Sequence, residues 1–376
     1  MRLLDRYLTR ELMIPLAYCL VGFLIFWVSF DWLAMAEDFR DAGMKLTACI
    51  YYYWIKLPEF ISTTFPIALL LALLYTLTDL SRHHELVAIR AAGVSWWRLC
   101  APYFFWGVFL SLALLFLNET WGARSAEHSA ALIAAYEKGT EGKPASYEAW
   151  HDQAFFHNHR DGRKWVIKRY NAQTTEMVSP YVILEHSQKQ GHRIEAESAW
   201  HTNGVWTFHR AREQFMVTTP QGEVLQNRFH KVLPQPEFTE TPRQFKTELK
   251  IAQMSSVRMA KEAQISLAEI HDYYDLHEVI PPEMRPRLQT QYHGRIAWSF
   301  TCLVVVLIAI PFGAGSGRRN VFAGVASSIF ICFGYFILMR LGLALGTRGA
   351  LPPMLAAWFP NLIFGGCSLY FIRQTR

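Results

Sequence analysis

Apolar residues gather in two blocks along the chain, residues 12–117 and 296–372, while the stretch between them, residues 119–293, has the mixed pattern of a soluble domain. Crossing a hydrocarbon core of about 30 Å takes roughly 20 helical residues. Six runs meet that length, at about 12–35, 60–80, 100–118, 296–313, 321–345 and 354–372. Pro66 and Pro311 lie inside two of them. They are tolerated there because neighbouring helices satisfy the carbonyls that a proline frees.

The intervening stretch opens with helical spacing from Asn118 to Tyr136 (Trp121, Ala126, Ala130, Ile133), which predicts a helix carrying the third span out of the membrane. The pattern then turns to period two. Trp165–Tyr170, Tyr181–Glu185, Val205–His209 and Gln214–Val217 are short and rich in β-branched and aromatic residues. Asp161-Gly162, Asn203-Gly204 and Gln221-Gly222 supply turns between them. Many short strands at such spacing predict a sandwich or jelly roll. Helical spacing returns from Met254 to Leu276, and Pro281-Pro282 ends it. The expected fold is a membrane α-helical protein of six transmembrane helices, three plus three, with an inserted extracytoplasmic all-β domain of jelly-roll type. Its expected parts are residues 1–118, with a loop helix at about 82–95, then the β domain with flanking helices at 119–293, then residues 294–376. No internal repeat is evident.

Composition agrees with this division. Only 18% of residues are charged, against about 25% in soluble proteins. The net charge of +6 fits basic loops at a membrane surface and calls for no nucleic acid. One set of short loops holds Arg2, Arg6, Arg10, Arg82, Arg90, Arg98, Arg318, Arg319, Arg373 and Arg376; the opposite set holds Arg40, Lys45, Lys56 and Arg348. The excess sets both termini in the cytoplasm and the β domain outside. The N-terminal MRLLDRYLTRELMIPL is too polar, and its apolar run too long, for a cleaved signal, so the first helix is expected to be retained. None of the six cysteines lies in 119–293, so no disulfide framework is expected there.

The loop between the second and third spans is the most specific segment, Thr78-Asp79-Leu80-Ser81-Arg82-His83-His84-Glu85-Leu86-Val87-Ala88-Ile89-Arg90-Ala91-Ala92-Gly93-Val94-Ser95. Glu85 to Ala92 can form about two helical turns that Gly93 stops at C′. A short charged helix between two spans suits docking of a soluble partner at the membrane surface. Together with Leu4-Asp5-Arg6-Tyr7, Phe65-Pro66, Arg295, Pro311-Phe312, Gly342 and Gly346, Pro352-Pro353 and Trp358-x-Pro360, the loop strongly resembles the LptF/LptG family of lipopolysaccharide-export permeases. The layout of three plus three helices around a central jelly roll is similar too, and the Pro-Pro and Trp-x-Pro features lean toward the LptG branch.

The resemblance implies a permease of an ABC-type transporter in the bacterial inner membrane, with a periplasmic central domain. It implies an LptB-like ATPase dimer, a paralogous LptF/LptG permease and an LptC-like periplasmic jelly-roll protein as partners, and lipopolysaccharide as cargo. Glu85, Leu86, Ala88, Arg90, Ala91 and Gly93 match the family's ATPase-coupling helix. No cofactor of the chain's own is expected, since ATP would be bound by the partner. The glycine-rich Gly313-Ala314-Gly315-Ser316-Gly317-Arg318 lacks the Lys-Ser/Thr ending of a P-loop and reads as a cytoplasmic turn. Another ABC-type membrane subunit, of lipoprotein-release or mechanotransmission type, is the alternative. Such proteins usually carry four spans with the outer domain directly after the first helix, and three helices ahead of the domain argue against them.

Charges within apolar runs tend to face cavities or partners. Arg340 and Asp31 both fall near the outer face, and Arg340, with Arg40, is the expected contact to lipid phosphates. Asp31 is expected to orient Arg340. His157 and His159 would share a strand face, but no acidic or cysteine ligand of recognised spacing stands near them, and no metal site is expected. No paired-carboxylate, serine-elbow or HExxH arrangement points to an enzyme active site.

Overall fold

The computed structural model describes residues 3–122, 125, 128–129, 132–133, 136, 150–172, 174–185, 191–219, 222–254, 265–277, 280, 282–313 and 321–374. Outside these fall Arg2, Ala126, Ala130, Gln221, residues 255–264, Pro281, the glycine-rich 314–318, Arg318, Arg319 and Arg376. The helices are α1 (Leu3–Asp41), α2 (Leu46–Arg82), α3 (Glu85–Ala91), α4 (Trp96–Leu117), α5 (Pro242–Met254), α6 (Leu267–Leu276), α7 (Met284–Ser299), α8 (Thr301–Gly313), α9 (Val321–Thr347) and α10 (Pro353–Gln374). The strands are β1 (Trp150–Asn158), β2 (Arg163–Asn171), β3 (Met177–Leu184), β4 (Arg193–Glu195), β5 (Ser198–Thr202), β6 (Val205–Thr219) and β7 (Gly222–Gln235). Two compact units result, one of residues 1–37, 50–125 and 282–376, the other of residues 38–49 and 126–281.

The first unit is the helical one. Five described helices are long and apolar enough to cross a membrane, and the bent pair α7–α8 makes a sixth crossing when counted as one. The expected runs are therefore present, but α1 and α2 extend well beyond the apolar stretches, to 39 and 37 residues. Lys56 and Arg40, read above as loop residues, lie inside those helices. Leu8, Leu12 and Leu16 of α1, Leu69, Leu73 and Leu77 of α2, and Tyr103 of α4 share one buried cluster with Val305 and Ile310 of α8.

Between α7 and α8 the chain turns by 44°, so the fourth expected span is not one straight helix. A break inside lipid would strand carbonyls of the last turn and N–H groups of the next. Asn361 Nδ2 donates to the Ala297 carbonyl at 2.9 Å, and Leu303 N–H donates to Ser111 Oγ at 3.2 Å. The Tyr335 hydroxyl donates to Asn361 Oδ1 at 2.7 Å and lies 2.9 Å from Thr301 Oγ1. Both sides of the break are thus partnered.

In the second unit all strand pairings are antiparallel. β4 and β5 lie one after the other between β3 and β6, and β7 pairs with β6. Val205–His209 and Gln214–Val217, expected as separate strands, are one 15-residue strand, β6. The Asn203-Gly204 turn closes β5 onto β6 with φ of 54° and 83°, the left-handed pair that a two-residue hairpin of type I′ requires. Alternate residues Trp165 and Ile167, and Trp206 and Phe208, point into one core. Phe245 of α5 joins them, with its ring 5.1 Å from Trp165 and 5.3 Å from Trp206.

Helix α5 was not expected, although its signal is in the sequence. Thr241 precedes Pro242 and is followed three residues on by Gln244. The Thr241 N–H donates to Gln244 Oε1 at 2.7 Å, and the Gln244 N–H to Thr241 Oγ1 at 3.4 Å. This is a capping box with proline at the first helical position. From Asn118 to Tyr136, the chain is π-helical over Asn118–Gly122, and the described residues 125, 128, 129, 132, 133 and 136 are helical.

Candidate functional site

Helix α3 has seven residues, far below the length at which an isolated helix holds itself. Its N-cap, His84, is left-handed at φ 60° and makes no side-chain cap. At the other end Gly93, at φ 84°, occupies C′, and the Gly93 and Val94 N–H groups return to the Arg90 and Ile89 carbonyls at 2.9 and 3.4 Å. That pairing is a Schellman stop. Leu86 is buried in the helical core, whereas Val87, Ala88 and Ala91 turn outward and are exposed. The helix thus has an inner face that is packed and an outer face of small apolar groups.

Three contacts hold this segment. The Tyr7 hydroxyl, from α1, donates to Glu85 Oε2 at 2.7 Å. The Arg90 guanidinium lies 5.8 Å from the Trp96 ring centre. Just beyond, Arg98 Nη2 reaches both carboxylate oxygens of Asp5, at 2.8 and 2.9 Å.

Toward the opposite end of α1, Asp31 and Lys56 form an ion pair of 2.9 Å, with side chains only 16% and 14% exposed. Lys56 also donates to the Tyr52 hydroxyl at 3.0 Å and lies 5.4 Å from the Phe60 ring centre. A cavity of about 300 Å³ adjoins the pair, lined further by Trp27, Phe30, Ala34, Glu59 and Thr63.

Compared with known families, residues 6–374 match the model described as lipopolysaccharide export system permease LptF/LptG. The chain belongs to this family. No curated protein matches it. As an LptF/LptG permease it is a multi-pass membrane protein of a transport family.

Not every expected site residue of this LptF/LptG chain is brought together. Glu85, Leu86, Ala88, Arg90, Ala91 and Gly93 form one short element and its stop. Arg340 of α9 is exposed, with its guanidinium 5.5 Å from the Trp298 ring centre. The Asp31 carboxylate, expected to orient Arg340, is bonded through Oδ1 to Lys56 at 2.9 Å. Helix α2 begins at Leu46, so Lys56 stands within a helix beside Asp31, where two charges largely withdrawn from water each need an opposite partner. Arg40 is exposed in the last turn of α1.

The family motif glycines are explained by packing. A Cβ on Gly342 would stand 2.4 Å from the Ala356 carbonyl oxygen, and one on Gly346 would stand 2.7 Å from Ala356 Cβ and 2.8 Å from Thr290 Oγ1. Small residues four apart let helices cross this closely. Arg295 Nη1 donates to Glu119 at 3.3 Å.

In the β unit, His157 and His159 have ring centres 3.7 Å apart, and His277 follows 5.2 Å from His159. The His277 Nδ1–H donates to the Tyr273 carbonyl at 3.1 Å, which turns Nε2 toward Glu248 Oε1 at 3.2 Å. Burial pushes His277 down to about 4 and Glu248 up to about 8. Burial thus pushes both groups toward their neutral forms. No group of three or more His, Cys, Asp or Glu among the described residues is arranged to hold a metal ion. Sequence reasoning missed Tyr7, Asp5 and Lys56 as partners, and Glu248 and His277 altogether. Each pair is distant in sequence, and only the Asp5-Arg6-Tyr7 string carried a signal.

Proposed function

We propose that this LptF/LptG permease extracts lipopolysaccharide from the bacterial inner membrane as one subunit of an ABC-type transporter. In this reading it passes the lipid along its β domain, in the periplasm, to a periplasmic bridge, and both chain termini are cytoplasmic. An LptB-like ATPase dimer takes the outward face of α3, a paralogous LptF/LptG permease completes the lipid path, and an LptC-like jelly-roll protein receives the cargo. ATP is bound by the partner, and the chain itself has no enzymatic role.

The observation that carries the reading is the two-faced helix α3. Its inner face is locked by Leu86, while Val87, Ala88 and Ala91 offer a close-fitting apolar surface. Energy input is needed because each acyl CH₂ exposed to water costs about 0.8 kcal/mol. Arg340 and Arg40 are the proposed contacts to lipid phosphates, and the Asp31–Lys56 pair fixes α1 against α2.

Co-purification with an LptB-like ATPase tests the partner. Ala88→Asp, which places a charge on the outward face, is expected to abolish that association while the chain remains folded; undiminished binding refutes the assignment. Labelling from either side of the membrane should separate residues 81–95 from residues 150–230. Arg340→Ala is expected to reduce crosslinking to lipid, and unchanged crosslinking removes Arg340 from the path.

A further inference from the structure

The first turns of α1 carry polar residues at every second position, Asp5, Tyr7, Thr9 and Glu11. Each makes a bond to another element. Asp5 and Thr9, four apart and so on one helix face, meet α4: Arg98 bonds Asp5 at 2.9 Å, and Trp106 Nε1–H donates to Thr9 Oγ1 at 3.2 Å. Tyr7 donates to Glu85 of α3 at 2.7 Å, and the Glu11 carbonyl accepts from Thr76 Oγ1 of α2 at 3.0 Å. Leu8, Leu12 and Leu16, between these faces, are buried in the cluster that also contains Leu86.

Farther along, apolar residues of α1 turn outward. Val21, Ile25, Phe26, Phe30 and Leu33 are all more than half exposed. Helix α1 is thus tied to other elements at the end that meets α3 and again at Asp31, with exposed apolar residues between and beyond these points. Pro15 follows the anchored turns of α1, so a displacement of that end moves the first three turns as one helical piece and changes the angle at the proline, where an i→i−4 hydrogen bond is missing.

We propose that Asp5 and Tyr7 are positioning residues, Tyr7 joining α1 to the first turn of α3 and Asp5 joining it to Arg98 in the first turn of α4, so that movement imposed on α3 is carried into α1. The proposal rests on the coupling reading of α3 given above. Glu85 lies in the first turn of α3, where the helix dipole favours a carboxylate, and the Tyr7 hydroxyl fixes that carboxylate toward α1. Asp5 holds Arg98, three residues beyond Ser95, whose side chain caps α4. These ties couple a shift of α3 and of the start of α4 to the first turns of α1. Freed of them, α3 retains Leu86 and Ile89 against the core and the Arg90–Trp96 contact.

The test uses the full transporter, the chain assembled with its partner permease and ATPase in proteoliposomes, and reads lipid released per ATP hydrolysed. Tyr7→Phe removes one hydroxyl and leaves the ring; Asp5→Asn removes one charge. Each is expected to keep the ATPase bound and to lower lipid released per ATP by up to about fivefold, the factor that corresponds to an exposed polar pair. Exchanging the charges, Asp5→Arg with Arg98→Asp, restores the opposite pair and is expected to recover most of the ratio, which a loss of general packing would not do. An unchanged ratio in both single variants overturns the proposal, and so does a double variant no better than Asp5→Asn. Failure of the coupling reading itself looks different: Ala88→Asp would then leave ATPase binding intact.

Discussion

Gly342 of α9 and Ala356 of α10 meet backbone to backbone: a Cβ at Gly342 would sit 2.4 Å from the Ala356 carbonyl oxygen. A carbonyl within α10 cannot retreat without breaking its own helix. Gly342→Ala is therefore expected to force the helices apart, at a cost of about 1–3 kcal/mol as in other overpacked sites. Thermal unfolding of the detergent-solubilised chain should record the loss. Gly366, where an added Cβ would meet no atom within 4 Å, is the control, and an equal effect of alanine at both positions would sink the close-crossing argument.

Arg163 and Glu240 supply the second prediction. Arg163 Nε donates to Glu240 Oε1 at 2.7 Å, and the Glu240 side chain is fully buried. Asn158 Nδ2 also donates to that oxygen at 3.0 Å, and the Trp206 indole N–H donates to the Glu240 carbonyl at 2.7 Å. Arg163→Met leaves a buried carboxylate without its cation and is expected to cost about 3–5 kcal/mol. Replacing both residues with apolar ones should cost less than the single change. Denaturant unfolding followed by tryptophan fluorescence measures both, and a cost below about 1 kcal/mol, the range of exposed pairs, contradicts the burial argument.

The Glu248–His277 contact gives a pH dependence with a defined sign. Burial raises Glu248 from 4.5 to about 8, so the folded state keeps a proton that the unfolded chain has already lost. Its contribution is fully present below pH 4.5 and is lost as pH rises toward 8. Burial lowers His277 from 6.5 to about 4, so that group opposes folding as pH falls through this window. Glu248→Gln keeps a donor toward His277 Nε2 and removes only the carboxyl titration. Between pH 5 and 8 the variant should gain on the wild type by up to about 1.4 kcal/mol per pH unit. A stability difference that stays constant with pH would count against a carboxyl kept neutral by burial.

At the α7–α8 break, Asn361 links the Ala297 carbonyl to the Tyr335 hydroxyl. Asn361→Leu is similar in size but leaves both groups without this partner in an apolar setting. The expected cost is about 1–3 kcal/mol, read as a lower unfolding temperature. A Tyr335→Phe, Asn361→Leu double variant should lose less than the sum of the single changes. Strict additivity would show that the two side chains do not act as one network.

Some of this architecture is legible one residue at a time. Runs of apolar residues long enough to span a bilayer, the Asn203-Gly204 hairpin turn and the Gly93 stop are local facts, since each depends on a short window and on the solvent around it. The capping box at Thr241 is equally local, though its helix was not expected. The extra length of α1 and α2 is harder to see. Polar residues such as Arg6, Arg40 and Lys56 interrupt the apolar pattern, yet the helices continue through them, with Arg6 and Arg40 exposed and Lys56 paired with Asp31.

By itself, then, the chain determined its class: helices where no water can satisfy the backbone, strands where the pattern alternates, and a short two-faced helix between two spans. Only the tertiary structure decided who pairs with whom. Asp31 meets Lys56 across 25 residues, Tyr7 meets Glu85 across 78, and Arg163 meets Glu240 across 77. A charge or a hydroxyl carries no record of its partner in its own sequence neighbourhood. The partner is fixed by packing, which brings distant groups within about 3 Å and excludes the water that would otherwise serve either of them.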